Sequence, residues 1–136
     1  MSLFNVFDIS GSALTAQSVR LNAISSNLAN SEVVSSSEET AYRARYPVFS
    51  AAFDSAMGRE SVGVKVDGMV ESSMTPRKEF APTHPLADED GYIYMSNVNN
   101  VEEMANMISA SRSYQSSVEA MNTTKQLIMR TLNLGR

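Results

Sequence analysis

The sequence predicts a mainly α-helical protein with a small β part. Its long N- and C-terminal helices are expected to pack as a coiled-coil-like pair, with a short β-rich or irregular segment between them in the chain. Apolar residues that recur at alternating spacings of three and four predict a helix near each end. Short alternating apolar runs, bounded by Pro, Gly and Ser, predict the β part. The chain thus divides into residues 1–30, 31–98 and 99–136.

The N-terminal helix is predicted over about Ile9 to Ala29, where most heptad positions are apolar. Asp8 or Ser10 is expected to cap its start, because their side-chain oxygens can accept from the first free amides. Gly11 is expected to weaken the first turn by about 1 kcal/mol relative to alanine. Asn30 marks the end of the pattern.

The segment 31–98 has a different character. Ser31 to Thr40 is rich in Ser and Glu and is predicted to be a solvated, mobile loop. Tyr42 to Phe49 contains Pro47, which favours a short edge strand or an extended arm. Val62 to Val66 alternates as a half-buried strand does, and the following Asp67-Gly68 predicts a turn into a partner strand at Met69.

The later part of this segment is predicted to be extended, because it contains Pro76, Pro82 and Pro85. The acidic run that ends at Gly91 predicts a turn. Tyr92 to Met95 then predicts one more strand.

The C-terminal helix is predicted over about Asn100 to Leu132. Asn99 followed by Glu102 is typical of a capping box, and Gly135 is a natural stop. Helices of these lengths would measure about 30 and 50 Å. A compact middle segment would be only about 28 Å across. Since it cannot cover the longer helix, the sequence predicts a protein that completes its core by assembling with other chains.

The composition excludes several classes of site. Without cysteine there is no disulfide, thiol nucleophile or thiolate metal site. A net charge of -4 disfavours binding to nucleic acid, which needs a basic surface. No apolar run approaches the roughly 20 residues that span a bilayer, so no direct membrane insertion is expected. The first residues lack the basic start of a cleavable signal peptide.

Candidate catalytic and metal sites fail on spacing. His84 has only the acidic residues 88–90 nearby, and a calcium loop built on them would need ligands where Leu86 and Asn97 stand. No serine lies in a nucleophile elbow. We therefore predict no catalytic, metal or cofactor site and no enzyme. A metal-dependent enzyme at His84 and Asp88 would require tight stoichiometric metal binding.

One small basic and aromatic patch stands out in the middle segment. Arg43 and Arg45 lie between Tyr42 and Tyr46. Such residues can stack nucleotides, but in an acidic chain a protein contact is the better interpretation. We take these four residues as candidate outer contacts.

Several stretches resemble the bacterial flagellar axial proteins, the family of rod, hook and hook-associated proteins. Residues 12–30 read SALTAQSVRLNAISSNLAN and are similar to the N-terminal signature of that family. Residues 84–92 (HPLADEDGY) and 97–115 (NVNNVEEMANMISASRSYQ) resemble its proximal-rod members, and residues 118–125 and 131–135 continue the likeness. The short length fits, because hook and distal-rod members carry larger inserted domains.

The likeness has one departure. Val33 stands where family members usually have Thr, and residues 35–39 match no family segment. This affects the expected path of the loop rather than the resemblance as a whole.

The resemblance implies a structural subunit of the proximal rod, a drive shaft that crosses the periplasm. Such proteins are exported unfolded by the flagellar type III apparatus without signal cleavage. Their terminal helices form an inner layer around the export channel, and the middle segment makes outer contacts. The implied partners are other copies of the chain and other rod proteins, with the membrane-ring base and the export apparatus as further candidates.

The heptad positions and the asparagines of the N-terminal signature supply the candidate assembly interface. A charge at Leu21 or Met121 is expected to abolish assembly, because it would be buried unpaired. The full set is Phe7, Leu14, Leu21, Asn22, Ile24, Asn27, Leu28, Asn30, Met104, Met107, Ile108, Tyr114, Val118, Met121, Ile128 and Leu132.

An alternative from another class remains open at the level of sequence. A soluble coiled-coil adaptor of a secretion apparatus would share the same heptads without stacking along an axis. It would form a discrete and highly helical oligomer in solution, whereas a rod subunit would be a partly disordered monomer.

Overall fold

The computed structural model describes residues 3–52 and 62–135. It confirms the predicted fold class, with two long terminal helices and, between them in the chain, small sheets of which the three-stranded one is antiparallel. The elements in order are α1 (Leu3–Ala29), β1 (Val34–Ser35), β2 (Arg45–Ala52), β3 (Gly63–Glu71), β4 (Arg77–Phe80), β5 (Tyr92–Met95) and α2 (Asn100–Leu134).

The chain forms two compact units that do not follow the order of the sequence. Unit 1 combines Met1–Leu21, Pro47–Gly68 and Ser109–Arg136, and unit 2 combines Asn22–Tyr46 with Met69–Ile108. Each unit therefore includes parts of α1, α2 and the middle segment. The division into residues 1–30, 31–98 and 99–136 stays a prediction about position along the chain.

In unit 1, the described parts of α1 and α2 run antiparallel. A Cβ added at Gly11 would lie 3.7 Å from Met121 Cε, while Leu14 and Ser18 share a groove with Tyr114. Later residues of α1 thus face earlier residues of α2. The buried side chains of this unit are small, and they include Ala16 and Ala110. Small side chains allow two helix axes to come close together.

Helix α1 starts at Leu3, six residues before the predicted start near Ile9. Asp8 and Ser10 therefore lie inside the helix and not at its cap, so that part of the prediction was wrong. The reason is packing, since most helical stability comes from tertiary contacts rather than intrinsic propensity. Gly11, placed opposite Met121, no longer marks a break.

Unit 2 contains a three-stranded antiparallel sheet in the order β1-β5-β4. Met95 pairs with Val34 on one side and with Arg77 on the other. Tyr92–Met95 was predicted as a strand and is confirmed. The predicted loop Ser31–Thr40 was only partly right, because its Val34 and Ser35 form β1.

The predicted turn before β5 is confirmed. The Gly91 N–H donates to the Asp88 carbonyl at 3.0 Å, and Gly91 has a φ of 81°. The Asp88 carboxylate accepts from the Tyr92 N–H at 2.8 Å and from the Asp90 N–H at 3.1 Å. These hydrogen bonds, the one from the Tyr92 backbone first, hold the pKa of Asp88 below its ordinary value.

The strands β2 and β3 pair as a two-stranded sheet. Strand β3 continues from Gly63 to Glu71 without interruption, so the predicted turn at Asp67-Gly68 was wrong. A tight hairpin turn of that kind needs a positive φ, which Gly68 does not have. Pro47 lies within β2, as the prediction of an edge strand allows.

Helix α2 begins at Asn100, as predicted, and ends two residues beyond the predicted end. The Asn99 Oδ1 accepts from the N–H of Val101 at 3.1 Å and from that of Glu102 at 3.4 Å. Asn99 is therefore the N-cap, which confirms its part of the predicted capping box.

Candidate assembly surface

The buried side of α2 is lined by small or polar side chains. Glu103, Ala110 and Thr124 are buried and Ser117 is half-buried, all at steps of seven residues. This spacing is that of a single heptad position. The line predicted from Met104 is one residue out of step with it. A heptad count that follows large apolar residues selects the line through Met104. Close packing of two helices instead buries the neighbouring line, which contains the small residues Ala110 and Ser117.

The large apolar side chains of α2 lie outside this line. Met104 and Ile108, in unit 2, are each 56% exposed, and Leu132, in unit 1, is 64% exposed. Large apolar side chains that a helix leaves exposed favour contact with other proteins. The same helix also exposes Val101, Tyr114, Leu127, Met129 and Leu134.

The remaining predicted interface positions divide between surface and interior. In α2 the half-buried ones are Met107, Val118, Met121 and Ile128. In α1, Phe7 and Asn22 are exposed, Leu14, Leu21 and Leu28 are half-buried, and Ile24 and Asn27 are buried; Asn30, just beyond the helix, is half-buried. Leu21 and Met121 thus contribute to packing within the chain as well as to any interface.

A shallow groove opens on unit 1 between its two helices. Leu14, Thr15, Ser18 and Val19 of α1 and Tyr114 of α2 line about 290 Å³ of space. The space is large enough for an apolar side chain from another helix to enter, as in knobs-into-holes packing.

Unit 2 holds a buried polar cluster centred on Asn27, whose side chain is fully buried. Its Nδ2 donates to the Arg45 carbonyl and to Glu103 Oε2, both at 3.0 Å. Its Oδ1 accepts from the Tyr42 hydroxyl at 3.0 Å and from the Arg45 N–H at 2.9 Å. All four hydrogen-bonding positions of the amide are occupied. Asn27 therefore has a role inside the subunit, whereas the sequence analysis placed it at the assembly interface.

A second amide, that of Asn97, acts beside the first. Its Oδ1 accepts from the Ala44 N–H at 2.8 Å, and its Nδ2 donates to the Met74 carbonyl at 2.7 Å. Two side-chain amides thus bind consecutive backbone N–H groups, those of Ala44 and Arg45. Ala44 is buried beneath them.

The predicted outer-contact residues lie around this cluster. Arg45 forms a salt bridge with Glu71, with 2.9 Å between Nη2 and Oε1, and its guanidinium lies 6.0 Å from the Tyr42 ring centre. Arg43 lies 3.9 Å from Glu38. Both arginines keep part of their surface available, but each is already near an acidic partner in its own chain.

The ionisation of Tyr46 is shifted by its surroundings. Burial raises the pKa of its phenol above the ordinary value, and the negative charges of Glu103 and Glu102 raise it further. These effects all favour the neutral phenol.

His84 and the nearby acidic residues were the candidates for metal or catalytic chemistry, and the contacts that the structure gives them are structural. His84 is half-buried, and its Nδ1 accepts from the Leu86 N–H at 3.1 Å. Within residues 3–52 and 62–135, no three His, Asp or Glu side chains converge as a metal site would require. In that same part of the chain, neither helix has an apolar stretch sufficient to cross a membrane.

Two important residues were not singled out by the sequence analysis for the roles they have. Glu103 lies in the first turn of α2, where an exposed acid would complement the helix dipole, yet it is only 1% exposed. Asn97 was considered only as a failed calcium ligand. The sequence held one signal for the role of Glu103. This residue lies seven residues before Ala110, so both residues occupy the same side of the helix.

Comparison with known proteins gives consistent matches at both ends of the chain. A family model described as flagella basal body rod protein matches residues 7–34. Another, described as flagellar basal body rod FlgEFG protein C-terminal, matches residues 89–134. These ranges contain the two longest stretches that carry the resemblance.

Individual relatives match along the whole length. The flagellar basal-body rod protein FlgC of Salmonella typhimurium is 48% identical over 136 residues, which cover 100% of both chains. The protein of the same name from Yersinia enterocolitica is 49% identical with the same coverage. The one from Buchnera aphidicola subsp. Acyrthosiphon pisum is 42% identical over 137 residues and 99% of each chain.

Proposed function

The chain belongs to the FlgC family of flagellar basal-body rod proteins, and on that premise we propose that it assembles with copies of itself and with other rod proteins into the helical proximal rod. It is a structural subunit and not an enzyme. Its place is the flagellar basal body.

The observation that carries this proposal is the exposed apolar surface of α2. Met104, Ile108 and Leu132 are more than half exposed, while small and polar side chains fill the buried side of the same helix. A helix that directs its larger apolar side chains away from its own fold offers them to neighbouring helices. Many shallow contacts of this kind, summed over a shaft, would transmit torque.

The wider setting is also proposed. The shaft lies in the periplasm, and its helices surround the channel through which later subunits pass. The chain reaches this place unfolded through the flagellar export apparatus, with no cleaved signal peptide. The absence of cysteine supports such a route, because no disulfide can form during transit.

The middle segment is proposed to make the outer contacts. Tyr42, Arg43, Arg45 and Tyr46 would face other rod proteins or the membrane-ring base. Their neighbouring carboxylates, such as Glu71 beside Arg45, give the surface mixed charge. A partner with paired acidic and basic side chains would complement it.

The decisive experiment introduces one charge into the exposed apolar surface. Leu132→Glu is placed in cells that lack the native gene, and swimming and isolated basal bodies are scored. We expect loss of motility and of rods, because a carboxylate would be buried unpaired between subunits. Since Leu132 is 64% exposed, the isolated chain should unfold at the same denaturant concentration as wild type. This makes Leu132 a sharper site than the half-buried Leu21 or Met121.

Asn133→Glu provides the matched control, because Asn133 is the next residue of α2 and is exposed. It adds the same charge and should support normal swimming. Normal swimming with Leu132→Glu would contradict the proposal. So would a discrete, stable oligomer of the purified protein together with intact rods in its absence, the result expected of an adaptor.

A further inference from the structure

Two consecutive backbone N–H groups in residues 42–46 of unit 2 are bound by side chains. The N–H groups of Ala44 and Arg45 donate to the amide oxygens of Asn97 and Asn27, at 2.8 and 2.9 Å. The backbone contributes as well, because the Ser72 N–H donates to the Ala44 carbonyl at 2.7 Å and Arg45 and Tyr46 begin β2, which pairs with β3. The path of this segment therefore depends on how two amide groups are oriented.

The orientation of the Asn27 amide depends on Glu103. The carboxylate is buried, and its Oε2 accepts from Asn27 Nδ2 at 3.0 Å, while Oε1 is 3.4 Å from Asn106 Nδ2. A rotated Asn27 amide would direct its oxygen at this carboxylate and at the Arg45 carbonyl, three acceptors with no proton among them. Only the observed orientation gives the Arg45 N–H its acceptor.

We propose that Asn27 and Glu103 form a latch that positions residues 42–46, with Glu103 acting through Asn27. Both are positioning residues. Glu103 follows Asn27 by 76 positions, so the latch closes only after the first turn of α2 packs in unit 2. An open latch frees the Ala44 and Arg45 amides while the three-stranded sheet of unit 2 remains folded. Any effect of an open latch on contacts between residues 42–46 and other proteins rests on the proposed function. The latch itself does not.

The test measures hydrogen exchange of individual amides in the purified full chain. Glu103→Ala should lower the protection of the Arg45 N–H by about tenfold or more, because its acceptor is no longer held in place. The amides of β5 should change by less than about twofold. Glu103→Gln keeps an oxygen for Asn27 Nδ2 and should retain protection near the wild-type level.

Glu102→Ala is the matched control. Glu102 is the preceding residue, also acidic and in the first turn of α2, but it is exposed. Its replacement removes the same favourable charge from the helix N-terminus without touching Asn27, so the Arg45 N–H should keep its protection.

The proposal is overturned if the Arg45 N–H keeps its protection in Glu103→Ala, or if β5 loses protection equally. It is also overturned if Glu103→Gln behaves like Glu103→Ala. Exchange of the wild-type chain in low denaturant tests it without any substitution. The amides of Ala44 and Arg45 should then open together below the free energy of global unfolding, and exchange only by global unfolding would refute the latch. Because no rod is assembled in these measurements, failure here leaves the proposed function intact.

Discussion

At Gly91 the backbone adopts a conformation that a side chain would oppose. Its φ of 81° is left-handed, and an added Cβ would lie 3.1 Å from both Phe80 Cε2 and Pro82 Cβ. The turn depends on this residue because the Gly91 N–H and the Asp88 carboxylate together shape the entry into β5. Glycine satisfies the conformation and the close approach at once.

We expect Gly91→Ala to lower the free energy of unfolding by about 1–2 kcal/mol, from the left-handed conformation alone. Crowding against Phe80 and Pro82 adds to the effect. Gly68→Ala is the control, since nothing lies within 4 Å of its added Cβ and its φ is not left-handed. It should be neutral or stabilising by up to about 1 kcal/mol. Urea unfolding of the three proteins measures both, and equal losses would contradict this account.

Residues whose partners are close in sequence were predictable, and those with distant partners were not. The Gly91 turn and the Asn99 cap are set by neighbours within four positions, and both predictions are confirmed. Asn27 bonds to residues 15, 18 and 76 positions away. Its type and the apolar pattern around it indicate a helix, but no local rule indicates which chain segment its amide will bind.

At the level of elements, periodicity predicted α2 better than it predicted the packing of α2. Both ends of the helix lie within two residues of their predicted positions. The buried line, however, follows Ala110 and Thr124 rather than the larger apolar positions. Heptad counting identifies one apolar stripe. A helix that packs both within its own chain and against other chains has two such stripes, and the sequence alone does not say which of them the chain itself buries.

The start of α2 depends on its cap. Asn99→Ala should lower the free energy of unfolding by about 1 kcal/mol, because the Val101 and Glu102 amides lose their acceptor. Asn100→Ala is the matched control, since Asn100 is the next residue, is exposed, and lies inside the helix. Alanine is the better helix former there, so stability should rise slightly, by up to about 0.5 kcal/mol.

Circular dichroism during thermal unfolding distinguishes the two variants. Asn99→Ala should also lose helical signal before the main transition, as the first turn of α2 frays. If both variants unfold at the same temperature, the Asn99 side chain does not cap the helix in solution.

At the level of the whole molecule, assembly with other chains explains both the methionine-rich composition and the exposed apolar side chains. The chain has nine methionines and no tryptophan, and several of its large apolar side chains are exposed. Slender, adaptable side chains such as Met104 and Met129 suit surfaces that several neighbours must share. Many of the residues that the chain buries by itself are small, such as Ala16, Ala23, Ala44 and Ala110. The sequence could predict that such a chain assembles, because its two helices carry more apolar surface than the chain can bury by itself.

Solution self-association tests this explanation without flagella. Sulfate salts strengthen apolar burial because they are excluded from protein surface. The wild-type chain should therefore associate as sulfate is raised. The double variant Met104→Glu/Leu132→Glu should remain monomeric under the same conditions, because both charges lie on the apolar surface.

The double variant Ala105→Glu/Asn133→Glu is matched to it in position and in net charge, and all four positions are exposed. It should associate as the wild type does. Any difference between the two double variants then reflects the positions of the added charges and not their number. Sedimentation velocity at equal protein concentration gives the populations, and urea unfolding verifies that each variant is folded. If both double variants associate alike, the apolar surface of α2 is not the surface through which copies of this chain meet.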